Sequence, residues 1–311
     1  MNGIIYGSQA MEFLAATADA DERSASSHWR EMHRGFRYRD GRFEGLRGFG
    51  GYRPRPGVLR RAAHRVLQRP FRALGHRLSR FEDADRAAAQ ITERQERLYD
   101  LDALRQALTA ALLLERIPGR LAPGAVVAVI GDGFGMLSAL LLSLAPGVRV
   151  VAINLAMTLL VDLAFLLRGL PELKLALATD AAGVDAALGD GKLRLVALRA
   201  EDAELLGRCP IDLAANVVSM QEMDPPVIAQ YFDALRAVGS TPVAFYCCNR
   251  LEKALPDGTV VRFREYPWSA RDDVLLDEPC PWSEEFYTWW PPFYRPYDGP
   301  IWHRLALLAK A

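Results

Sequence analysis

The chain has 311 residues, of which 50% are apolar, and its 38 basic side chains balance 38 acidic ones. This length and apolar content allow a large hydrophobic core in two domains or one elaborated domain. No Cys-x-x-Cys pair occurs, and the adjacent Cys247 and Cys248 lie in an apolar, strand-like run that favours buried free thiols. A disulfide framework is therefore not expected, which fits a reducing compartment. The four cysteines are Cys209, Cys247, Cys248 and Cys280.

No targeting or membrane-spanning segment is evident in the sequence. The N-terminal residues lack the charged start and the long apolar run of a signal peptide. The longest apolar segment, 155–170, is interrupted by Asp162 and Arg168 and is too short to span a bilayer. We therefore predict a cytoplasmic protein without a membrane span.

Positive charge is concentrated near the N-terminus. Between His28 and Arg80 there are 15 arginines, no lysine and three acidic residues, which leaves a local net charge of +12. Planar guanidinium groups suit phosphate, carboxylate or an acidic protein surface. This segment contains three candidates for holding an anionic group of a substrate, namely Arg37, Arg39 and Arg42.

Residues 1–55 are predicted to be irregular or mixed in structure, and glycines alternate with arginines and aromatic residues over 35–51. This segment is expected to be a partly disordered arm or a loop that closes over a site. A helical apolar period follows over 57–81, with a break expected at Pro70. A basic amphipathic helix of this kind can bind a membrane or nucleic acid, but docking on the acidic remainder of the same chain is the simpler expectation. One or two further helices are predicted over 83–116.

Beyond residue 116, predicted strands alternate with predicted helices, which is typical of a mostly parallel sheet covered on both faces. Strands are predicted at 125–130, 148–153, 193–198, 212–218, 243–248, 259–264 and 302–308. Helices are predicted at 136–144, 156–168, 180–188 and 226–238. The last two strands have no helix between them, so we expect the sheet to end in an antiparallel pair.

The most informative motif is the turn Gly131-Asp-Gly-Phe-Gly135, between a predicted strand and a predicted helix. Glycines allow a tight backbone turn and a closer approach to a ligand than a β-carbon would permit. A nucleotide-like cofactor is the usual ligand, although such a turn can also be purely structural. The Gly-x-Gly-x-x-Gly spacing of nicotinamide enzymes is absent, because the third glycine would fall at Met136.

Polar side chains follow the other predicted strands. In a doubly wound sheet, ligands bind beyond the carboxyl ends of the strands. Those ends present Asn154 after the second strand, Glu201 and Asp202 after the third, and Ser219 to Met223 after the fourth. We therefore expect these residues to surround one cofactor and the group on which it acts.

Several elements resemble the sugar O-methyltransferase family of S-adenosylmethionine-dependent enzymes over residues 90–308. The most distinctive are Asn-x-x-Ser-x-Gln-Glu-Met at 216–223 and Asn-Arg-x-x-Lys at 249–253. The other matching elements are Val129 to Gly135, Ile153 to Leu155, Phe165 to Leu167, Tyr231-Phe232, and Glu265 to Trp268. The resemblance implies an α/β fold of the class I methyltransferase, Rossmann-like type, with a mostly parallel seven-stranded sheet and an antiparallel final strand.

The same resemblance implies S-adenosylmethionine as the cofactor. The residues expected to bind it are Gly131, Asp132, Gly133, Phe134, Gly135, Asn154, Leu155, Glu201, Asp202, Asn216 and Ser219. Two residues depart from the family pattern, because Val129 and Asn154 stand where acids are usual. An asparagine can still bond two ribose hydroxyls, without the strength that a charge adds, and Asp132 is a partial substitute.

Methyl transfer to an oxygen is the implied reaction, and a general base assists attack by a neutral hydroxyl. Glu222 is the first candidate for that base, and capping a helix or pairing with an arginine is its alternative role. Gln221 and Ser219 would orient the acceptor or the cofactor. His303 is a candidate for the acceptor site or a structural strand-end residue. No metal is expected, because the five histidines do not pair with carboxylates at metal-binding spacing.

The stretch 282–297 is rich in aromatic residues. Aromatic rings stack on the apolar faces of sugars and on planar acceptors, and they also cover exposed sheet edges. Both roles are open for this stretch.

We predict a basic, mostly helical extension at 1–116 and a methyltransferase domain at 117–311. The predicted function is O-methylation of a sugar or another small metabolite, with an anionic acceptor as an option and without a nucleic-acid partner. A homodimer is left open. The rival hypothesis, motivated by Val129 and Asn154, is a catalytically silent relative that serves as a binding or scaffolding partner.

Overall fold

A computed structural model describes residues 3–18, 24–39, 42–46 and 57–310. In these ranges the helices are α1 (Gly7–Thr17), α2 (Ser27–Met32), α3 (Val58–Leu67), α4 (Arg69–Gly75), α5 (Phe81–Arg94), α6 (Leu101–Arg116), α7 (Met136–Leu144), α8 (Ala156–Gly169), α9 (Ala181–Gly189) and α10 (Pro225–Ala237). Short 3₁₀ helices are Pro118–Leu121, Ala200–Arg208, Met220–Glu222, Phe263–Glu265 and Pro281–Ser283. Part of the predicted arm, including 47–55, lies outside the described residues.

The strands, in chain order, are β1 (Ile4–Tyr6), β2 (Arg37–Arg39), β3 (Arg42–Glu44), β4 (Val126–Ile130), β5 (Arg149–Asn154), β6 (Leu175–Ala178), β7 (Leu195–Arg199), β8 (Ile211–Val217), β9 (Ala244–Arg250), β10 (Glu252–Ala254), β11 (Val260–Arg262), β12 (Asp273–Pro279), β13 (Glu285–Tyr287), β14 (Tyr294–Pro296) and β15 (Ile301–Leu307). The main sheet has nine strands in the order β1-β6-β7-β5-β4-β8-β9-β15-β12. Neighbours from β6 to β9 pair in parallel, whereas β15 runs antiparallel to β9 and β12, and β1 runs antiparallel to β6. The predicted mostly parallel sheet with a reversed final strand is confirmed, with nine strands instead of seven.

Two parts of this sheet differ from the sequence prediction. The segment 259–264 contributes β11, which pairs with β10 in a small separate hairpin, and β12 occupies the sheet position beside β15. Most side chains of β12 are exposed because it is an edge strand, so it lacks the apolar run that marks a buried strand. The short strands β6 and β1 extend the opposite edge.

Helices cover both faces of the sheet. Val127 and Val129 of β4 belong to the core on the side of α5 to α8, whereas Val126, Ala128 and Ile130 belong to the core on the side of α9 and α10. All five residues of β4 are buried. Burial on both faces explains why its sequence is a continuous apolar run.

The helices α5 and α6 contribute side chains to the same hydrophobic core as one face of the main sheet. Leu104 of α6 is fully buried in the same cluster as Leu137 of α7. The carboxylate of Asp100 begins α6 by accepting a hydrogen bond from the N–H of Ala103 at 3.0 Å. The hydrophobic core therefore includes residues on both sides of position 116. The domain boundary predicted at this position stays a prediction.

The longest apolar segment of the sequence forms α8, which is 14 residues long. It packs against β5 and also against α1 and α5. Within the described ranges, no helix has the length and apolar character needed to cross a bilayer.

The single helix predicted before α5 is two helices, α3 and α4, with Pro70 in the first turn of α4 as expected for a break. The orientation of α3 differs from the prediction. Val58, Leu59 and Val66 are exposed, whereas the inward side of the helix carries His64. The apolar side of α3 therefore does not dock on the acidic remainder of the chain.

Strand β1 lies close to α9 at the sheet edge. A β-carbon added at Gly183 would overlap the carbonyl group of Gly3. We expect Gly183→Ala to displace β1 and to lower the free energy of unfolding by about 1–3 kcal/mol. Gly189→Ala, in the same helix but with open space around the added β-carbon, should leave stability unchanged or slightly higher. Urea unfolding measures both, and equal stability of the two variants would contradict the expectation.

Candidate functional site

A cavity of about 250 Å³ opens at the carboxyl ends of β4, β5, β8 and β9. This is the edge at which doubly wound sheets bind ligands. The predicted site residues that line it are Gly131, Asp132, Gly133, Phe134, Asn154, Ser219, Gln221 and Glu222. The predicted site residues that do not line it are Gly135, Leu155, Glu201, Asp202, Asn216 and His303.

The glycines of the turn are required partly by packing within the protein. All three have a positive φ, 69° at Gly131, 52° at Gly133 and 62° at Gly135, which favours glycine. A β-carbon at Gly131 would overlap the hydroxyl of Ser219, and one at Gly135 would overlap Leu166. Of the three, Gly131 and Gly133 face the cavity. The turn therefore has a structural role as well as the expected ligand-facing surface.

Asp132 caps α7 from inside the turn. Its Oδ1 accepts a hydrogen bond from the N–H of Leu137 and its Oδ2 accepts one from the N–H of Ser138, both at 2.8 Å. Burial raises the pKa of this carboxyl above its ordinary value, although the hydrogen bonds act in the opposite direction. Because both oxygens serve the helix, Asp132 is not positioned as the substitute ribose acid that the sequence suggested.

Asn154 lines the cavity, but both ends of its amide bind protein groups. Its Nδ2 donates to Oδ2 of Asp162 at 2.8 Å, and its Oδ1 accepts from the N–H of Leu155 at 3.0 Å. Leu155 is the N-cap residue of α8, which is why its backbone meets Asn154 while its side chain is buried. Binding of ribose hydroxyls by Asn154 would therefore require these hydrogen bonds to be shared.

Asp162 lies behind Asn154 and close to a second carboxyl group, that of Asp132. Burial raises the pKa of Asp162 well above its ordinary value, and the neighbouring Asp132 carboxyl raises it further. Two buried carboxyl groups in one apolar environment do not both ionise without a large cost in free energy. The pair therefore favours a state that retains a proton.

Asn216 is fully buried and joins the strand ends behind the cavity. Its Nδ2 donates to the carbonyl of Ile130 at 2.7 Å, and its Oδ1 accepts from Nδ2 of Asn249 at 2.8 Å. Gln221 extends this network, because its Oε1 accepts from the N–H of Arg250 at 2.8 Å. The two distinctive sequence elements thus hold β4, β8 and β9 together at the cavity.

Glu222 faces the cavity from a 3₁₀ helix and is held by two side chains. Its Oε1 lies 2.6 Å from Nζ of Lys253, and its Oε2 lies 3.5 Å from Nε2 of His28. Burial is the main cause that lowers the pKa of His28, so its neutral form is favoured at pH 7. The arginine pairing considered for Glu222 is, in the structure, a lysine pairing.

The N-terminal arm reaches the rim of the cavity at Glu222. The hydroxyl of Ser26 donates a hydrogen bond to the backbone carbonyl of Glu222, and Trp29 lines the cavity. Trp29 belongs to α2 and Ser26 is the N-cap residue of that helix, so the part of the arm at the cavity is helical, not the partly disordered arm or loop that was expected. The hairpin β2–β3, which does not line the cavity, carries the proposed anion clamp, Arg37, Arg39 and Arg42.

Three predicted residues have partners outside the cavity. Glu201 and Asp202, in the 3₁₀ helix after β7, both pair with Arg199, whose Nε lies 2.8 Å from Oδ2 of Asp202. His303 is buried, and its Nδ1 lies 3.1 Å from the hydroxyl of Tyr246. For His303 this matches the structural strand-end alternative rather than the acceptor site.

The cavity is also lined by cationic side chains that were not predicted as site residues. The guanidinium of Arg97 lies 3.7 Å from the ring centroid of Phe134, and those of Arg105 and Arg250 each lie 5.1 Å from the ring centroid of Tyr297. No motif marks the two that come from the region of α5 and α6, whereas Arg250 belongs to the Asn-Arg-x-x-Lys element. Across the described part of the chain, no group of three or more histidine, cysteine or acidic side chains is arranged to hold a metal ion.

The aromatic stretch contributes to two places. Trp282 and Tyr297 line the cavity. Tyr287 binds α3 instead, with its hydroxyl 2.7 Å from Nδ1 of His64. The stretch therefore contacts the candidate acceptor region and also fastens the N-terminal helices.

No protein-family model matches the chain, and no curated protein matches it. Similar solved structures include an O-methyltransferase family 2 protein from Planctomyces limnophilus in complex with apigenin, at 14% identity over 74% of this chain and 62% of that chain, with a TM-score of 0.42. The mitomycin 7-O-methyltransferase MmcR is 12% identical over 66% of this chain and 57% of its own, with a TM-score of 0.35. The arsenic(III) S-adenosylmethionine methyltransferase CrArsM from Chlamydomonas reinhardtii is 15% identical over 61% of this chain and 64% of its own, with a TM-score of 0.33. The chain thus spans less than two thirds of each of these structures, and likeness this low assigns no substrate and no residue role.

The strand order defines the fold class by itself. Without β1 and β6, the strand order of the main sheet is β7-β5-β4-β8-β9-β15-β12, and β15 runs antiparallel to its two neighbours. This is the class I methyltransferase fold that the sequence predicted, extended by β6 and β1. The cavity lies beside β4, where the chain reverses the direction in which it adds strands, as is usual for ligand sites in such sheets.

The Asp132–Asp162 pair gives the folded protein a pH dependence. A carboxyl with a raised pKa keeps its proton in the folded state at pH values where the unfolded chain, with an aspartate pKa of about 3.9, has lost it. This contribution therefore lowers stability as pH rises from about 4 toward the raised pKa, by up to about 1.4 kcal/mol per pH unit. We expect Asp162→Asn, which can still accept the hydrogen bond from Asn154, to remove that slope.

Urea unfolding across the neutral and mildly acidic range measures the slope for the wild type and for Asp162→Asn. Asp233→Asn, an exposed acid on α10, is the matched control and should keep the wild-type slope. Identical slopes for all three proteins would show that the buried pair does not retain a proton.

Proposed function

We propose that this protein transfers a methyl group from S-adenosylmethionine to an oxygen atom of a small molecule. The observation that carries the proposal is the cavity at the carboxyl ends of β4, β5 and β8, bounded by the glycine turn and by Glu222. The class I methyltransferase strand order around it supports the same activity. A sugar is the finer candidate for the acceptor, supported by the sequence elements at 216–223 and 249–253.

The lining of the cavity suits S-adenosylmethionine in its charge and in its exposed backbone. Gly131 and Gly133 present main chain without a β-carbon, and Arg97 is a nearly buried cation suited to the carboxylate of the methionine part. Asn154 would hold the ribose by sharing its amide with Asp162. When bound, the cofactor supplies a methyl group on a positively charged sulfur, which transfers without a metal.

Several side chains of the cavity would hold the acceptor. Arg105, Arg250 and Lys253 line it as cations, and each is paired with an acid, Asp102, Asp298 and Glu222 respectively. Their remaining N–H groups suit a carboxylate, a phosphate or a hydroxyl-rich molecule. Tyr297 and Trp282 offer aromatic faces for stacking on a sugar or a planar ring. This combination supports a hydroxylated acceptor that carries negative charge.

Glu222 is the proposed general base. When the acceptor hydroxyl attacks the methyl carbon and the sulfur–carbon bond breaks, the hydroxyl proton would pass to the Glu222 carboxylate. Lys253, at 2.6 Å from Oε1, fixes the orientation of that carboxylate, and Oε2 is then the oxygen that takes the proton. The imidazole of His28 lies beside the other oxygen, with Nε2 at 3.5 Å from Oε2.

A catalytically silent binding protein is the second candidate, and one observation favours it. The amide of Asn154 is engaged by Asp162 and by the backbone of Leu155, which leaves the ribose without a dedicated acid. In that case the cavity would not bind the cofactor, and the arginine-rich arm would serve a partner.

The two candidates differ in cofactor affinity. We expect calorimetric titration to give micromolar or tighter binding of S-adenosylhomocysteine and no binding of NAD. Arg97→Gln should weaken that binding about 10–100-fold, the usual contribution of a hydrogen bond to a charged group. Arg168→Gln is the matched control, because Arg168 stacks on Phe165 outside the cavity. A folded wild-type protein without affinity for S-adenosylhomocysteine would favour the silent candidate.

The role of Glu222 is tested by Glu222→Gln, which keeps the size of the side chain. Once an acceptor is found by screening with labelled S-adenosylmethionine, kcat should fall about 10²–10⁴-fold because the proton acceptor is lost. Affinity for S-adenosylhomocysteine should be unchanged. Glu201→Gln, outside the cavity, should keep the wild-type kcat. A wild-type rate and pH profile in Glu222→Gln would remove Glu222 from the mechanism.

A further inference from the structure

Helix α3 turns its apolar side to the solvent. Because a helix advances about 100° per residue, Val58, Leu59 and Val66 share one side. They are exposed by 71%, 88% and 51%, while His64 and Gln68, on the opposite side, are buried. Helices of globular proteins normally bury their apolar stripe, so this inverted arrangement marks an interaction surface.

An aromatic turn at the tip of the β13–β14 hairpin lies next to α3, on the side of the helix that carries His64 and Arg60. The ring centroid of Trp289 lies 4.7 Å from that of His64, and the guanidinium of Arg60 lies 5.4 Å from the Trp289 ring. In the same turn Trp290 is 78% exposed and Phe293 is 48% exposed. We refer to these two exposed patches on neighbouring elements together as the α3 face, consisting of Val58, Leu59, Val66, Trp289, Trp290 and Phe293.

The surroundings of the α3 face are strongly basic. The stretch 57–81 contains seven arginines and no acidic residue. Arg60, Arg61 and Arg65 of α3 itself are exposed beside the apolar side chains. The surface therefore combines exposed apolar and aromatic groups with a high local positive charge.

This combination selects among the possible occupants. A second copy of the chain, docked through the same surface about a two-fold axis, would bring the two sets of arginines together and be opposed by charge repulsion. A nucleic acid would neutralise the arginines, but its charged backbone offers no apolar surface on which Leu59 or Val66 could be buried. A bilayer surface with anionic lipids satisfies both, because apolar and aromatic side chains enter the interface while arginines meet the headgroup phosphates.

We propose that the α3 face is a docking site for the surface of an anionic phospholipid bilayer. Leu59, Trp290 and Phe293 would enter the headgroup and acyl boundary, and Arg61 and Arg65 would bind lipid phosphates. The attachment is peripheral and reversible. It is independent of the methyl-transfer proposal, because none of the residues of the α3 face lines the cavity.

The test is flotation of the full chain with vesicles of phosphatidylcholine alone and of phosphatidylcholine mixed with phosphatidylglycerol. We expect binding to the mixed vesicles, weakened by added salt, and little binding to phosphatidylcholine. The double variant Leu59→Ser with Trp290→Ser should lower the partition coefficient at least about tenfold, because two exposed apolar groups are lost. Arg61→Gln and Arg65→Gln should each lower it about fivefold.

The matched control is the double variant Val274→Ser with Leu275→Ser, which removes two exposed apolar side chains from the edge strand β12. It should bind vesicles like the wild type. Equal loss in both double variants, or no binding of the wild type to mixed vesicles, would overturn the proposal. So would a dimer in solution, or binding to duplex DNA or RNA, that Leu59→Ser with Trp290→Ser abolishes while vesicle binding persists. Unchanged thermal unfolding of each variant excludes loss of the fold as the cause.

Discussion

The carboxylate of Asp132 is the interaction on which the candidate site depends. It binds the first amide groups of α7 from inside the glycine turn, and the backbone is therefore bent around it. Burial raises the pKa of both Asp132 and Asp162, and Asp162 in turn accepts a hydrogen bond from the amide of Asn154. One buried acid thus governs the shape of the turn, the protonation of its neighbour and the orientation of the residue at the expected ribose position.

The stretch after β12 connects the cavity with the N-terminal helices. Tyr287 of the β13–β14 hairpin binds His64 of α3, while Tyr297, just beyond the hairpin, lines the cavity between two guanidinium groups. The hairpin tip carries Trp290, the most exposed of the large aromatic side chains in the described residues.

Local pattern was sufficient to predict most of the parallel sheet. Burial on both faces demands a continuous apolar run, and the run of β4 is the clearest instance. Helix α7 begins and ends where the sequence predicted. Its start follows from Gly135, whose left-handed backbone conformation precedes the first helical residue. Strand β12 could not be found in this way, because an edge strand with exposed side chains carries no such run. The inverted side of α3 was also beyond prediction, since periodicity shows that a helix is amphipathic but not which side faces solvent.

The sequence by itself predicted a mostly parallel sheet covered by helices, and it placed the glycine turn and several strand-end residues at one edge of that sheet, because these follow from local periodicity and strand ends. The class I methyltransferase type of the fold came from the resemblance to a known family. Only the tertiary structure decided which side chains line the cavity and which protein groups each of them binds. Asp132, Asn154 and Asn216 bind protein groups. Arg105 reaches the cavity from a helix that no motif marks, and it binds the backbone carbonyl groups of Trp282 and Glu285. The physical reason is that a buried polar group must find a partner, and that partner lies far away along the chain, where no local pattern records it.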